Sequence, residues 1–478
     1  MSTDHVSPHS LDPSRRYHFV GIGGIGMSAI AQVLLARGFR VSGSDRQDSP
    51  MLDRLRALGA EVWVGHDAVH VRDGDVVVLS DAIKPENPEW RRAAELNLEI
   101  VTRADLLGVL ANNGRGVAVA GTHGKTTTSG MLALILTEAG MDPTCLLGGE
   151  LAPLGGNARA GGPLTLVEAC EAYESFHSLY PEAAIVTNIE VDHLDHHGTP
   201  EHLYESFRQF LRQVRAVAVL NGDDPLLCEM AAIPPRAVQY GMGEGNDYRF
   251  ADVALGQAPS FTLSAQGRAL GRCVLRVPGM HNVSNATGAA ALALELGTDF
   301  AAVQRALAAF PGMHRRFERV GEINGVALVD DYAHHPTEIR ATLAAARGIF
   351  PGRIVAVFQP HLYSRTRDML DEFVEALALA DIVLVAPIYA AREAPISGVS
   401  HQQLAECIAM LSSALTVHAL EECDEAVEIL SQALGGESAA GSRFAIPRLG
   451  EGDVILTMGA GDIDDVAHAL CRGDGGQG

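Results

Sequence analysis

One stretch constrains the fold of this chain more than any other: Val117-Ala-Val-Ala-Gly-Thr-His-Gly-Lys-Thr-Thr-Thr128. Val117 to Ala120 is a short apolar run of strand character. It feeds a glycine loop, Gly121-Thr122-His123-Gly124, followed by Lys125 and Thr126. A helical pattern then runs through Met131, Leu132, Leu134, Ile135 and Leu136. Strand, glycine loop, Lys-Thr and helix in that order make a phosphate cradle. Glycines let backbone N–H groups approach oxyanions, and the helix start adds partial positive charge. The lysine reaches terminal phosphates, and the threonine hydroxyl can ligate Mg²⁺. The loop is two residues shorter than the usual P-loop pattern, because position 119 is Val and not Gly.

A second glycine loop lies upstream. A strand pattern at Tyr17-His-Phe-Val runs into Gly21-x-Gly23-Gly24-x-Gly26, and a helix follows with Ile30, Val33 and Leu34. Asp45 stands nineteen residues after Gly26, past a strand from Phe39 to Ser42. This is the dinucleotide fingerprint, with its acidic residue at the ribose distance. Physically it specifies a pyrophosphate at the loop and a ribose near Ser44 or Asp45. A nicotinamide dinucleotide and a UDP-sugar both satisfy that, so an NAD-linked oxidoreductase stands as an alternative. His66 and Ser80-Asp81-Ala82-Ile83 also fall at strand ends, where open sheets bind ligands.

The 478 residues suggest about three domains. A composition of 47% hydrophobic and 20% charged residues reads as globular and soluble. No apolar run approaches ~18 residues, and residues 1–16 are polar without an apolar targeting core, so a disordered start and a cytoplasmic location are expected. The formal charge of −23 argues against nucleic acid and membrane surfaces as partners. Seven scattered cysteines, with no Cys-x-x-Cys, give no zinc or disulfide framework.

Downstream of the cradle, Leu164 to Val167 is a strand ending in Glu168-Ala-Cys-Glu171, and Ala183 to Thr187 ends in Asn188-Ile-Glu-Val-Asp192-His193. Glu168 and His193 at such strand ends can hold Mg²⁺ against phosphate oxygens, and Glu171 rivals Glu168. Residues 240–277 read as an antiparallel insert. His281, Asn282 and Asn285 open an Ala-rich helix, with the two asparagines three apart on one face. After a linker at 311–317, a further α/β segment carries Asp330-Asp331-Tyr332-Ala-His334-His335 and Gln359-Pro-His361-Leu-Tyr363-Ser-Arg365 at strand ends, with no phosphate loop. It is expected to carry an acceptor substrate. The fold class is therefore α/β in three domains: a disordered start (1–16), a Rossmann-like domain (17–111), a central P-loop domain (112–312), and a C-terminal Rossmann-like domain (313–478).

Three segments together are specific: Gly-Ile-Gly-Gly-Ile-Gly-Met-Ser, Ala-Gly-Thr-His-Gly-Lys-Thr-Thr-Thr, and Val-Asp-Asp-Tyr-Ala-His-His-Pro-Thr-Glu. In this order they resemble the Mur ligases of peptidoglycan synthesis, over about residues 17–465. The short phosphate loop is also how that family writes it. The resemblance implies an ATP-dependent ligase that phosphorylates the lactyl carboxylate of UDP-N-acetylmuramate, after which L-alanine attacks the acyl phosphate. A ligase that attaches a preformed murein tripeptide to the same sugar nucleotide is the alternative within the family. ATP and Mg²⁺ are the implied cofactors, and a monomer or homodimer is expected.

Residue by residue, the resemblance implies ATP binding by Gly121, Thr122, His123, Gly124, Lys125, Thr126, Thr127, His281, Asn282, Asn285, Arg316 and Asp331. Thr126 and Glu168 would hold one Mg²⁺ and His193 a second. Lys125, Glu168, His193, Arg316 and Asp331 form the implied catalytic set, with Arg316 a phosphate-binding side chain that could sense domain closure. Gly21, Gly23, Gly24, Gly26, Ser44, Asp45 and His66 would hold the UDP-sugar, and Tyr332, His334 and Arg365 the amino acid. Two departures stand out. Cys170 replaces a common Asp of the acidic motif, and Leu362 replaces a common Arg, which leaves strictness for L-alanine over glycine or L-serine open.

Overall fold

The structure, a computed structural model, describes residues 10–192, 194–391, 393–411, 415–435 and 446–474. Its first sheet contains β1 (Arg16–Val20), β2 (Arg40–Asp45), β3 (Glu61–Val64), β4 (Val76–Leu79) and β5 (Glu99–Thr102). All pairings are parallel, in the order β3-β2-β1-β4-β5. The order reverses between β1 and β4, so the crevice outside the end of β1 is the switch point where such sheets bind ligands. The Gly21–Gly26 loop leaves β1 there.

The second sheet contains β6 (Arg115–Ala120), β7 (Thr144–Leu151), β8 (Gly156–Arg159), β9 (Leu164–Glu168), β10 (Ala183–Val186), β11 (Val217–Asn221), β12 (Ala237–Gly241), β13 (Tyr248–Ala254), β14 (Ser260–Ala265) and β15 (Arg268–Val274). The order is β15-β14-β13-β12-β11-β10-β6-β9-β7-β8. β6 lies between β9 and β10, parallel to both, with Val119 opposite Glu168 and Ala120 opposite Val186. This register delivers the phosphate loop and the two polar strand ends to one edge. Arg115 and Gly116 belong to β6, where they pair with Leu164 and Thr165.

The third sheet contains β16 (Glu318–Ile323), β17 (Val326–Asp331), β18 (Ile354–Phe358), β19 (Ile382–Val385), β20 (Thr416–Ala419) and β21 (Val454–Met458), in the order β16-β17-β21-β18-β19-β20. β16 and β17 form an antiparallel hairpin, and the remaining pairings are parallel. The fully buried β17, β18 and β21 read as continuous apolar runs, as strands covered on both faces do.

The chain divides into two compact units. One runs to Ala251 and takes in Thr262–Cys273 and Ser284–Phe310; the other holds Asp252–Phe261, Val274–Val283 and the chain from Pro311 onward. The first sheet and most of the second lie in the first unit, where one apolar cluster extends from Phe19, Ile30 and Leu34 to Val167, Phe176 and Phe207. Each such fully buried side chain contributes about 1.5–3 kcal/mol. Polar ties reinforce it: Asn157 on β8 donates to Ile25 O at 2.6 Å and accepts from Gln32 Nε2 at 2.8 Å. Among the described residues no helix is long and apolar enough to cross a membrane.

Candidate active site

The phosphate loop is held by the segment that follows β10. Thr122 N donates to Asn188 O at 3.0 Å, His123 N to Asn188 Oδ1 at 2.8 Å, and Thr187 Oγ1 to His123 O at 2.6 Å. Thr122 Oγ1 donates to Glu190 O, and His123 Nε2 lies 3.0 Å from Glu190 Oε2. Gly124 then adopts φ 79°, a left-handed conformation that favours glycine, and opens the helix Lys125–Glu138. A Cβ at Gly124 would lie 2.5 Å from Asn285 Oδ1, so the helix Met280–Glu295 brings Asn285 against the loop. Asn282 donates to Pro278 O at 2.7 Å inside the turn that starts the same helix. His281 is exposed beside it, and Thr127 is buried behind the loop.

The two rival carboxylates have separate partners. Thr126 Oγ1 donates to Glu168 Oε2 at 2.9 Å, and the Gly148 N–H on β7 reaches the same oxygen at 3.2 Å. Lys125 Nζ instead donates to both oxygens of Glu171, at 3.0 and 2.8 Å, and to the carbonyls of Gly121 and Thr122. Burial works against the Lys125 charge, but the carboxylates of Glu171 and Glu168 outweigh it and hold the ammonium above its ordinary pKa. Burial pushes the Cys170 thiol up to about 11, so it is a neutral spacer where a carboxylate is common. The cradle thus combines one cation, a hydroxyl and two carboxylates at a helix start. Thr126 and Glu168 present adjacent hard oxygen donors, the ligand chemistry that suits Mg²⁺. His193 lies outside the described residues.

In the first sheet, Gly21 N and Ile22 N donate to Ser44 O at 2.8 and 3.0 Å. Gly23 N donates to Asp45 Oδ2 at 2.9 Å, so Asp45 commits one oxygen to the glycine loop itself. Gly24 caps the helix Ile25–Ala36, and Gly26 leaves room for the Arg103 stem, 3.2 Å from where a Cβ would sit. Ser44 and His66 meet over a residue that sequence reasoning passed by. Ser44 Oγ donates to Glu89 Oε2 at 2.5 Å, and His66 Nδ1 lies 2.8 Å from Ser44 Oγ and 3.1 Å from Glu89 Oε2. His70 Nδ1 is 2.8 Å from Glu89 Oε1, and His18 Nε2 is 3.6 Å away. Glu89 is wholly buried. Burial alone would raise its pKa, but His18, Ser44 and His70 hold it down to about 2. Asn87 caps the helix Pro88–Glu95, accepting from Glu89 N, and that cap sets Glu89 in place. The only sequence signal was Asn-Pro-Glu, a helix start with an acid in its first turn.

In the second unit, Asp331 ends β17 and accepts from Phe317 N at 2.9 Å, Ala333 N at 2.8 Å and Thr342 Oγ1 at 3.2 Å. Burial raises its pKa to about 6 against the opposing pull of Arg316. The adjacent arginines have different surroundings. Arg315 is spent on Asp330 at 3.0 Å and on the carbonyls of Gly459 and Gly461. Arg316 is 3.9 Å from Glu338 and sits 5.1 Å from the Tyr332 ring centroid. His334 packs between Tyr332 and His361, at ring separations of 5.5 and 5.7 Å. Arg365 Nη1 lies 3.3 Å from His361 Nδ1. Tyr332, His334 and Arg365 are therefore joined through His361, with Tyr389 stacked on the far face of that ring at 5.8 Å. Leu362 holds φ 71°, an uncommon conformation for a branched side chain, and starts the helix that carries Arg365.

Comparison with known proteins matches this layout along the whole chain. Residues 16–115 match the model for "Mur ligase family, catalytic domain", 119–293 "Mur ligase middle domain", and 315–461 "Mur ligase, glutamate ligase domain". The UDP-N-acetylmuramate–L-alanine ligase of Sorangium cellulosum (strain So ce56) is 43% identical over 95% of this chain and 96% of its own. The enzyme of the same name from Desulforamulus reducens is 42% identical, over 96% and 97%. Among solved structures, UDP-N-acetylmuramate-alanine ligase from Thermotoga maritima superposes with a TM-score of 0.81 at 30% identity, covering 97% of this chain and all of that one. A murein peptide ligase from Psychrobacter arcticus gives 0.68 at 25% identity, over 97% and 99%. With three family domains in order on three α/β sheets, this chain belongs to the Mur ligase family.

Proposed function

We propose that this enzyme joins L-alanine to the lactyl carboxylate of UDP-N-acetylmuramate, with ATP converted to ADP and phosphate. The observation that carries this reading is the full-length likeness to curated L-alanine ligases, at higher identity and closer superposition than to the murein peptide ligase.

The chemistry requires two anions to meet, a γ-phosphoryl group and a carboxylate, so positive charge must be concentrated and fixed beforehand. Lys125 supplies it at the β/γ oxygens. A phosphate arriving at the loop competes with Glu171 for the ammonium. Thr126 and Glu168 would hold one Mg²⁺ and His193 a second, ions that when bound neutralise and orient the phosphate oxygens. Asn285, beside Gly124, and His281 and Asn282 on the same helix fit the nucleotide. Arg316 binds the transferring phosphate, and Asp331 positions the nucleotide. The carboxylate attacks the γ-phosphorus and ADP leaves. The alanine amine then attacks the acyl carbon, and inorganic phosphate departs as the amide forms.

The UDP-sugar binds at the Gly21–Gly26 loop, with Ser44, Asp45 and His66 at the ribose and pyrophosphate. Glu89 fixes the rotamers of Ser44 and His66. The β7–β8 pair touches both halves of this chemistry: Gly148 donates to Glu168, and Asn157 to the first turn of the fingerprint helix. Arg365 takes the alanine carboxylate as a guanidinium fork, with Tyr332 and His334 bounding the small side chain. Phosphate release with UDP-N-acetylmuramate plus L-alanine, set against the same sugar nucleotide plus murein tripeptide, tests the reading. Turnover with the tripeptide alone would overturn it.

A further inference from the structure

Outside the phosphate site, three elements of the first unit converge on a second group of metal-binding side chains. The 3₁₀ helix Ala172–Ser178 carries Glu174, the short helix Leu194–His197 carries His196 and His197, and the helix Pro200–Gln213 carries His202 in its first turn. One donor atom each from Glu174, His196 and His197 lies within 4.8 Å of the other two. His202 Nε2 is 3.5 Å from Glu174 Oε1, and its ring is 5.6 Å from that of His197. His197 is buried, Glu174 half-buried, and His196 and His202 are exposed at the rim.

We propose that Glu174, His196, His197 and His202 form a binding site for a divalent cation of the zinc class. The donor set decides the class. Imidazole nitrogens with one carboxylate suit zinc, cobalt or nickel, whereas Mg²⁺ takes hard oxygens in an octahedron. A tetrahedral zinc site, with bonds of about 2.0–2.2 Å, needs its donors about 3.3 Å apart. Glu174, His196 and His197 would therefore close by at most about 1.5 Å from their spacing of within 4.8 Å, and His202 joins from 3.5 Å beside Glu174. Three imidazoles and a carboxylate complete four-coordination, which marks a closed, structural site. Such an ion clips the segment after Glu171 to the segment after Asp192. It stiffens the two stretches that flank the phosphate cradle, and it takes no part in phosphoryl transfer.

The test uses the full-length protein, stripped with chelator and titrated with Co²⁺ in excess Mg²⁺. The expected result is one equivalent bound, with the intense visible absorption of a four-coordinate site, displaced by Zn²⁺. Glu174→Gln and His196→Asn, both at solvent-accessible positions, weaken Co²⁺ binding at least about 10–100-fold, the loss typical of even an outer partner of a metal ligand. Glu168→Gln, in the phosphate site, leaves the Co²⁺ signal in place. Saturating Zn²⁺ raises the melting temperature of the parent protein and not of Glu174→Gln. The proposal is overturned if no Co²⁺ binds in excess Mg²⁺, or if Glu168→Gln removes the signal while Glu174→Gln and His196→Asn keep it.

Discussion

Lys125 gives its ammonium to both oxygens of Glu171, at 3.0 and 2.8 Å, while its neighbour Thr126 gives its hydroxyl to Glu168 at 2.9 Å. Two carboxylates three residues apart are thereby assigned different partners by consecutive residues of one helix. Lys125→Ala is expected to abolish turnover and leave UDP-sugar affinity within about twofold, because the site proposed for the sugar nucleotide lies on a different sheet. Calorimetry with the UDP-sugar beside a phosphate-release assay checks both halves.

The same geometry ranks the acids. Glu168→Ala removes the carboxylate that accepts from the Thr126 hydroxyl, so it should cut Mg²⁺-dependent rate about 10²-fold or more and raise the Mg²⁺ concentration at half-maximal rate. Glu171→Ala frees Lys125 for phosphate but leaves its buried ammonium without its main counter-charge, at a stability cost of about 3–5 kcal/mol. Its signature is a lower melting temperature with a smaller loss of rate. The opposite order would move the metal ligand to Glu171.

Asp331 gives a pH signature. Its folded pKa is raised to about 6 from 3.8, chiefly by burial. Between pH 4 and 6 the folded state holds more protons than the unfolded, so this residue's contribution makes stability fall as pH rises through that window and stay level above it. The span corresponds to about 3 kcal/mol. If the carboxylate form positions nucleotide, kcat/KM for ATP should show an acidic limb near pH 6. Asp331→Asn should lower the rate and remove both the limb and this slope in chemical-denaturation stability.

Glu89 is expected to act through Ser44 and His66. Glu89→Gln keeps the shape but loses the charge that three imidazoles face, a change of about 1.5–3 kcal/mol for a charge-assisted contact. KM for the UDP-sugar should rise about 10–100-fold while KM for ATP stays put. Equal effects on both substrates would point to general misfolding.

Arg365→Lys tests the amino-acid site. The ammonium cannot present the planar fork of a guanidinium, so KM for L-alanine should rise about tenfold or more with little change for ATP and UDP-sugar. Steady-state kinetics in the three substrates separates these outcomes.

Much of this was legible in the residue order. The Gly121–Thr126 cradle, the Gly21–Gly26 fingerprint and the three-domain α/β fold come from local patterns: glycine spacing, apolar runs and polar strand ends. Those patterns place a side chain on a strand end and no further. That Glu168 serves Thr126 while Glu171 serves Lys125 depends on β9 pairing beside β6 with Val119 opposite Glu168. Glu89 was invisible because its partners come from three separate segments, His18 on β1, Ser44 on β2, and His66 with His70 after β3, that only the β3-β2-β1-β4 order gathers. Arg315 and Arg316 are identical as letters, and what physically sets them apart is that Asp330 and the carbonyls of Gly459 and Gly461 claim the first. Sequence by itself determined which chemical groups the chain owns and which fold class carries them, because both follow from neighbours along the backbone. Tertiary structure alone decided which group faces which, because hydrogen bonds and charge pairs act over a few ångströms of space between residues far apart in the chain.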